Sequence, residues 1–341
     1  MSIRVGINGM GRVGRALLRR AAQTDDLEVV AVNDLMGISM LATLLRRDST
    51  FGRFPGEIEV DGDVLVVDGR KIAVSSCRDP EELPWASENV EVAVECTGKF
   101  RTRDQAAGHL HAGAQRVVIS APGTSVDATI VMGVNDTTYD AAAHVVVSNA
   151  SCTTNCVAPM VKVLQDAFGI QTGFMTTVHA YTGDQNLLDG PHKDARRARS
   201  AAVNIVPTTT GAAKAVGEVL PEIAGRLDGV ALRVPVVDGS LVDLGVLLDR
   251  DVTADEVNAA FAAAAASGPL AGLLRYEDGP FVSADVIGDG ASCVFDSGLT
   301  QASGRFAKVF GWYDNEWGYT CRLADLTRLV GSSLTPSSVT S

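Results

Sequence analysis

Two α/β domains are predicted for this chain: a doubly wound dinucleotide-binding sheet, then an α+β domain with a mixed, largely antiparallel sheet and helices on one face. Three observations predict them. The opening residues read strand, glycine turn, helix, strand, acid. Beyond residue 152 the strand-like runs become longer and more widely spaced. A length of 341 residues with 46% hydrophobic content exceeds what one ordinary domain needs and can bury two cores. The boundaries are expected at 1–151 and 152–315, with a last helix near 316–335.

Ile3 to Ile7 is a short apolar strand. Gly9-Met10-Gly11-Arg12-Val13-Gly14 opens a helix carrying Val13, Leu17 and Leu18 on one side, and Leu27 to Val32 is a second strand followed by Asp34. This is the Rossmann-type arrangement. Gly9, Gly11 and Gly14 let the backbone approach a pyrophosphate, the helix N-terminus faces its charge, and an acid about 20 residues on accepts from the adenosine ribose. Arg12 and Val13 are expected against the cofactor, and Asp34 favours NAD over NADP because it repels a 2′-phosphate. Ile58 to Val74 alternates, with turn signals at Asp61-Gly62-Asp63 and Asp68-Gly69-Arg70, and reads as inserted hairpin strands. Val90 to Cys96 and Arg116 to Ser120 are buried strands ending near Thr97-Gly98 and Ala121-Pro122-Gly123, where a doubly wound sheet opens its ligand crevice.

Val145-Val146-Val147 then leads into Ser148-Asn149-Ala150-Ser151-Cys152-Thr153-Thr154-Asn155-Cys156 and an apolar-periodic stretch, Val157 to Leu164. Cys152 falls in the first turn of a helix, where unpaired N–H groups and the helix dipole favour a thiolate. Ser, Thr and Asn around one thiol make a polar pocket, and Thr176 to Thr182 supplies His179 as a base. Gly173 to Ala180, Gly229 to Val234, Leu241 to Leu248 and Phe306 to Trp312 are the later strands. Thr253-Ala254-Asp255-Glu256 is a capping box, with Val252 and Val257 as a hydrophobic staple, opening an Ala-rich helix to about Ala266. The last helix, about Trp317 to Leu329, has Leu323, Leu326 and Val330 at helical spacing. Ser332 to Ser341 is small and polar and expected to fray.

The formal net charge of −12 and pI near 4.9 argue against general nucleic-acid or membrane-surface binding. An anionic substrate must therefore meet a local basic cluster. His192 to Arg199 is such a run, and guanidinium groups suit phosphate. Thr208-Thr209-Thr210-Gly211, leading into a helix over Ala212 to Leu220, is a second candidate anion site. Six Cys without a C-x-x-C pair give neither a zinc pattern nor a disulfide framework, and no metal is expected. The start shows no signal peptide and no apolar run reaches roughly 18 residues, so a reduced cytoplasmic setting is expected.

The run Ala150-Ser151-Cys152-Thr153-Thr154-Asn155-Cys156 resembles the active-site signature of the bacterial-type phosphorylating glyceraldehyde-3-phosphate dehydrogenases. Matches extend from Val5-Gly6-Ile7-Asn8-Gly9 to Trp312-Tyr313-Asp314-Asn315-Glu316 and cover nearly the whole chain. The resemblance implies that the Cys152 thiolate adds to the aldehyde of glyceraldehyde 3-phosphate, that His179 accepts the hydroxyl proton as hydride leaves for NAD, and that inorganic phosphate attacks the thioester. It implies NAD contacts at Arg78 and Ser120, with Asn315 orienting the nicotinamide amide. It assigns the phosphates to Arg197 and Arg233 with Thr182 beside them, and to Thr210, Gly211, Ser151 and Thr153. A homotetramer is implied, as is return of the last helix to the first domain.

The departures from the family pattern are Met10 for a common Phe, Gly183 for a larger polar residue, Gly190 for a common Leu, and Val237 for the usual second Pro. Gly190 makes the preference for NAD less strict. Three other readings stay open: an erythrose-4-phosphate dehydrogenase, a second copy tolerant of thiol-alkylating inhibitors, and a non-catalytic redox or binding protein. Intact Cys152, His179 and anion sites speak against the last.

Overall fold

The computed structural model describes residues 2–334. The polar tail expected to fray lies, from residue 335 onward, outside the described residues, as does the expected end of the last helix. The chain forms two compact units, one of residues 2–130, 137–150 and 320–334, the other of 131–136 and 151–319.

In the first unit the described residues form a nine-stranded sheet. Its order is Ala128–Thr129, Val146–Ser148, Arg116–Ile119, Val92–Glu95, Ile3–Asn8, Leu27–Asn33, Arg70–Ser75, Val64–Val67, Ile58–Asp61. The first seven run parallel, and the central ones, Leu27–Asn33, Ile3–Asn8, Val92–Glu95 and Arg116–Ile119, are mostly apolar because both faces are largely buried. The last two continue the sheet as the antiparallel hairpins expected from the alternating pattern, with Gly62 and Gly69 turning at positive φ. The strand order reverses at Ile3–Asn8, which has Leu27–Asn33 on one side and Val92–Glu95 on the other. Asn8 is level with both Asn33 and Glu95. A ligand crevice opens at the C-terminal strand ends of such a switch point. The helix Arg12–Ala21 buries Ala16, Leu17, Leu18 and Ala21 but leaves Val13 half-buried.

The second unit is built on an eight-stranded mixed sheet, ordered Val206–Thr209, Leu227–Val234, Ile170–Ala180, Ser240–Leu248, Phe306–Tyr313, Cys293–Asp296, Leu274–Glu277, with Gln301–Ser303 paired to Phe306–Tyr313. Two neighbour pairs are parallel and the rest antiparallel. The period-2 strand Ser240–Leu248 buries Ser240, Val242, Leu244, Val246 and Leu248, the half that faces the core. The helix Cys152–Phe168 packs across this sheet and carries the helices Ala212–Val219 and Ala254–Ala266 against it. The capping box forms as read: Thr253 Oγ1 accepts from Glu256 N at 3.2 Å, and Glu256 Oε2 accepts from Thr253 N at 2.8 Å. Val252 and Val257 are both buried. The strands Val206–Thr209, Leu274–Glu277, Cys293–Asp296 and Gln301–Ser303 were not legible, being three or four residues long, too short for a periodicity to mark them. Among the described residues no helix is long and apolar enough to cross a membrane.

Candidate active site

The chain enters the helix Cys152–Phe168 through Ala150, a non-glycine residue held at φ +53°. Ser151 caps the helix, its Oγ accepting from Thr154 N at 3.0 Å. Cys152 is thus the first helical residue, and its Sγ lies 3.4 Å from His179 Nε2. The strand Ile170–Ala180 delivers His179. The Nδ1 of His179 donates to Ala180 O at 2.7 Å, so the hydrogen-bond network assigns the proton of the neutral ring to Nδ1. Nε2 then faces the thiol as an acceptor.

Burial and then Arg233 push His179 down to about 3, which keeps it a neutral base. Burial pushes the Cys152 thiol up, and Arg233 and the Thr153 hydrogen bonds pull it down without reversing the direction. The helix start alone therefore does not make a standing thiolate, contrary to the sequence expectation, because desolvation of the sulfur outweighs it. The two groups act as a pair. Transfer of the thiol proton across 3.4 Å gives a thiolate and an imidazolium that stabilise each other.

Tyr313 completes the wall. Its ring stands edge-on to His179 with centroids 5.9 Å apart, and its hydroxyl bridges Thr153 Oγ1 at 2.9 Å and Thr177 Oγ1 at 2.8 Å. The Thr153 hydroxyl is thereby engaged, and both it and the Thr153 backbone N–H also meet the Cys152 sulfur. Arg233, level with His179 on the adjacent parallel strand, donates from Nη1 to Ala180 O and to Thr182 Oγ1, each at 3.1 Å. Its buried Nε has no hydrogen-bond partner. Arg197 is held by Asp184 and by Thr208, whose Oγ1 accepts from Nε at 3.0 Å and donates to Asp194 at 2.8 Å. The charge of Arg197 reaches His179 as well. Thr210 and Gly211 lie at the start of Ala212–Val219, with Ala212 N donating to Thr210 Oγ1 at 3.2 Å.

Asn315 is buried, and its Oδ1 accepts from Ser240 Oγ at 2.6 Å, while Ser240 Oγ accepts from Ala180 N at 3.1 Å. The amide is thus oriented from the same strand end that carries His179. Beside it, Asp314 accepts from the N–H groups of Gly288, Glu316 and Trp317. Burial, then Asp314 and Glu316, push the neighbouring Asp238 up to about 9.

In the first unit a cavity of about 250 Å³ at the switch point is lined by Asn8, Gly9, Gly11, Asp34, Cys77, Thr97 and neighbours. The three glycines have three reasons. Gly9 turns at φ +96°, and a Cβ there would lie 2.7 Å from Thr97 N. Gly11 faces open space at the helix N-terminus. A Cβ on Gly14 would sit 2.0 Å from Gly9 O. Bare backbone at a helix start fits a pyrophosphate. Asp34 accepts from Met10 N at 2.6 Å and Met36 N at 2.9 Å, which ties the glycine turn to the second strand and leaves lone pairs for ribose hydroxyls. The Arg12 side chain turns to Asp48 and over Phe51, and neither Arg12 nor Val13, both expected against the cofactor, lines the cavity. Arg78 is exposed, next to Cys77. Ser120 lies at the end of Arg116–Ile119, hydrogen-bonded to Cys96.

Sequence reasoning gave no role to Tyr313, Ser240, Asp184 or Asp194. Tyr313 lay inside a quoted motif, and a buried phenol needing partners was the available signal. Of the departures, Gly183 has open space where a Cβ would stand, and a Cβ on Gly190 would meet Asn186 Nδ2 at 3.3 Å, so a side chain fits at either after small adjustment.

Residues 3–103 match the family model "Glyceraldehyde 3-phosphate dehydrogenase, NAD binding domain", and residues 151–315 match the C-terminal domain of the same family. Glyceraldehyde-3-phosphate dehydrogenase 2 of Streptomyces arenae is 56% identical over 335 residues, covering 98% of this chain and all of the relative. Dehydrogenase 1 of the same organism is 55% identical over the same length and coverage. The Mycobacterium tuberculosis glyceraldehyde-3-phosphate dehydrogenase is 57% identical over 341 residues, again 98% of this chain and all of the relative. With both family models matched and relatives alike over their full length, the chain belongs to the glyceraldehyde 3-phosphate dehydrogenase family.

Proposed function

We propose that this chain catalyses the NAD-dependent oxidative phosphorylation of D-glyceraldehyde 3-phosphate to 1,3-bisphosphoglycerate, in glycolysis and gluconeogenesis, through a thioester on Cys152. The observation that carries this is the Cys152 Sγ, 3.4 Å from an imidazole whose other nitrogen is fixed on Ala180 O, beside a buried guanidinium with an unpartnered N–H. Sγ forms a bond to the aldehyde carbon while its proton passes to His179 Nε2 and on to the aldehyde oxygen, which leaves the imidazole neutral again. The resulting thiohemiacetal gives up its hydroxyl proton to the same imidazole as it is oxidised. The glycine turn and Asp34 would hold NAD, with Asn315 assigned to its amide, and the cofactor would supply the hydride acceptor. Phosphate then attacks the thioester carbon, and the C–S bond breaks to return the thiolate.

Two anions are needed, and two kinds of site serve them. Arg233, Thr182 and Arg197 take one, and Thr210, Gly211, Ser151 and Thr153 take the other. An anion beside Arg233 and Arg197 offsets the positive charge that lowers His179, so substrate binding strengthens the base. We further infer a homotetramer in the cytoplasm. The open face of the second sheet exposes Phe174 (72%), Val230 (50%) and Phe306 (49%), an apolar face that a copy of the chain would cover. Cys77, Cys96, Cys152, Cys156 and Cys293 form no disulfide, which suits a reducing compartment.

The test is NADH formation from glyceraldehyde 3-phosphate with and without inorganic phosphate, with erythrose 4-phosphate as competitor. Phosphate-dependent turnover favouring the triose is expected. Preference for the tetrose, or no turnover, would overturn the reading. Light scattering on the eluted protein reads the oligomer.

A further inference from the structure

Beneath the dinucleotide cavity lies a buried polar chain that the chemistry above does not use. Glu95 ends the apolar strand Val92–Glu95 and is buried, as are Asn8, Asn33, His109 and Trp85. Its Oε2 accepts from Asn8 Nδ2 at 2.7 Å and faces His109 Nε2 at 3.0 Å. Its Oε1 accepts from Thr97 N at 2.7 Å and from the Thr97 hydroxyl. Trp85 Nε1, which can only donate, bonds His109 Nδ1 at 3.0 Å. That bond makes Nδ1 an acceptor and assigns the ring proton to Nε2, pointing at Glu95. From Asn8 the chain runs on: Asn33 Nδ2 donates to Asn8 Oδ1 at 2.8 Å and to Cys77 O at 3.0 Å.

Every group that meets the Glu95 carboxylate is a donor, which is the set a carboxylate satisfies and an amide does not. The groups so held are the ends of three adjacent strands, Asn8, Asn33 and Glu95 itself, and the loop at Thr97. Of these, Asn8, Asn33 and Thr97 line the cavity. Thr97 is also the residue against which the Gly9 turn rests, with room for no Cβ between them.

We propose that Glu95 is a positioning residue for NAD binding, with His109 and Trp85 fixing its orientation. The carboxylate holds the Thr97 loop and the Asn8 strand end at the spacing the glycine turn needs. This rests on placing the NAD pocket at these strand ends. The order of donors explains why a His is buried there at all: Trp85 sets its tautomer, and the tautomer supplies Glu95 with its fourth donor.

The test uses the full-length protein, with NAD binding measured directly by titration alongside kinetics. Glu95→Gln should raise the Kd and KM for NAD about ten- to a hundredfold, the loss of one or two hydrogen bonds to a charged group, with kcat at saturating NAD and the KM for glyceraldehyde 3-phosphate near those of the parent. Should that variant not fold, the pair His109→Leu and His109→Gln carries the test. Gln offers an acceptor to Trp85 and a donor to Glu95 and should keep NAD affinity, whereas Leu offers neither and should lose it. A role in stability alone would lower the unfolding midpoint and leave the Kd for NAD unchanged in the folded fraction. Unchanged NAD affinity in Glu95→Gln, or in His109→Leu, overturns the proposal. Gly9→Ala separates it from its premise, because if that variant also binds NAD normally, the placing of the pocket is what fails.

Discussion

The two sites are built in opposite ways. The dinucleotide cavity of the first unit is shaped by missing atoms: no Cβ fits at Gly9 or Gly14, and none is present at Gly11. The thiol site of the second unit is shaped by present ones, with Cys152, His179, Arg233 and Tyr313 brought from a helix start and three strands. One should break when an atom is added and the other when an atom is removed or exchanged.

The largest expected effect is at the thiol. Cys152→Ser exchanges one atom and should lower turnover by on the order of 10⁴ or more, since a hydroxyl is a far poorer nucleophile than a thiolate, while NAD affinity stays at the parent value. Steady-state kinetics with NAD titration check both halves, and near-normal turnover would remove Cys152 from the chemistry. His179→Asn should cost on the order of 10² to 10⁴, the range for a positioned general base. Its pH–rate profile should change shape, and an unchanged profile would count against the base role.

Adding an atom to the other site should do less to the chemistry and more to binding and stability. Gly14→Ala places a Cβ 2.0 Å from Gly9 O, a backbone atom that cannot step aside cheaply. A loss of about 1–3 kcal/mol of stability and weaker NAD binding are expected, with kcat at saturating NAD little altered. Thermal unfolding and NAD titration read this out, and an unperturbed Kd would show that the turn tolerates the methyl.

The smallest effect sharpens the comparison by leaving the shape alone. Asp238→Asn keeps the size of the side chain and removes its proton equilibrium. In the folded protein Asp238 holds its proton up to about pH 9, whereas the unfolded carboxyl releases it near its ordinary value of about 3.9. The stability this group contributes is therefore full below about pH 4 and is lost progressively as pH rises toward 9. The variant should gain stability over the parent as pH climbs through that window, with activity retained. A stability difference that is flat with pH would refute the raised titration of Asp238.

The contrast also explains what could be read without a structure. Glycine positions, the acid at Asp34 and the hairpin turns at Gly62 and Gly69 are local features, and a backbone requirement leaves its mark at fixed sequence spacing. Cys152 and His179 were legible through a distinctive local run and a resemblance. Their surroundings were not. The Tyr313 hydroxyl reaches Thr153 across 160 positions, and Asp184 takes Arg197 from a loop whose path no periodicity reports. His109 shows the same limit. It has no neighbour in sequence to recommend it, and only packing puts it between Trp85 and Glu95. The charged end of an otherwise apolar strand at Glu95 was the one available hint. The expected thiolate at the helix start was corrected for the same reason, since desolvation depends on what surrounds the sulfur in space.

The most direct test of the thiol and imidazole as a single unit is the pH dependence of Cys152 alkylation by iodoacetamide, an uncharged reagent, in the parent and in His179→Asn. Because Nε2 stands ready to take the thiol proton, the parent should react at lower pH than the variant, whose sulfur has lost its proton acceptor. Superimposable profiles would contradict the pairing and leave Cys152 reactivity to the helix start and Arg233 alone.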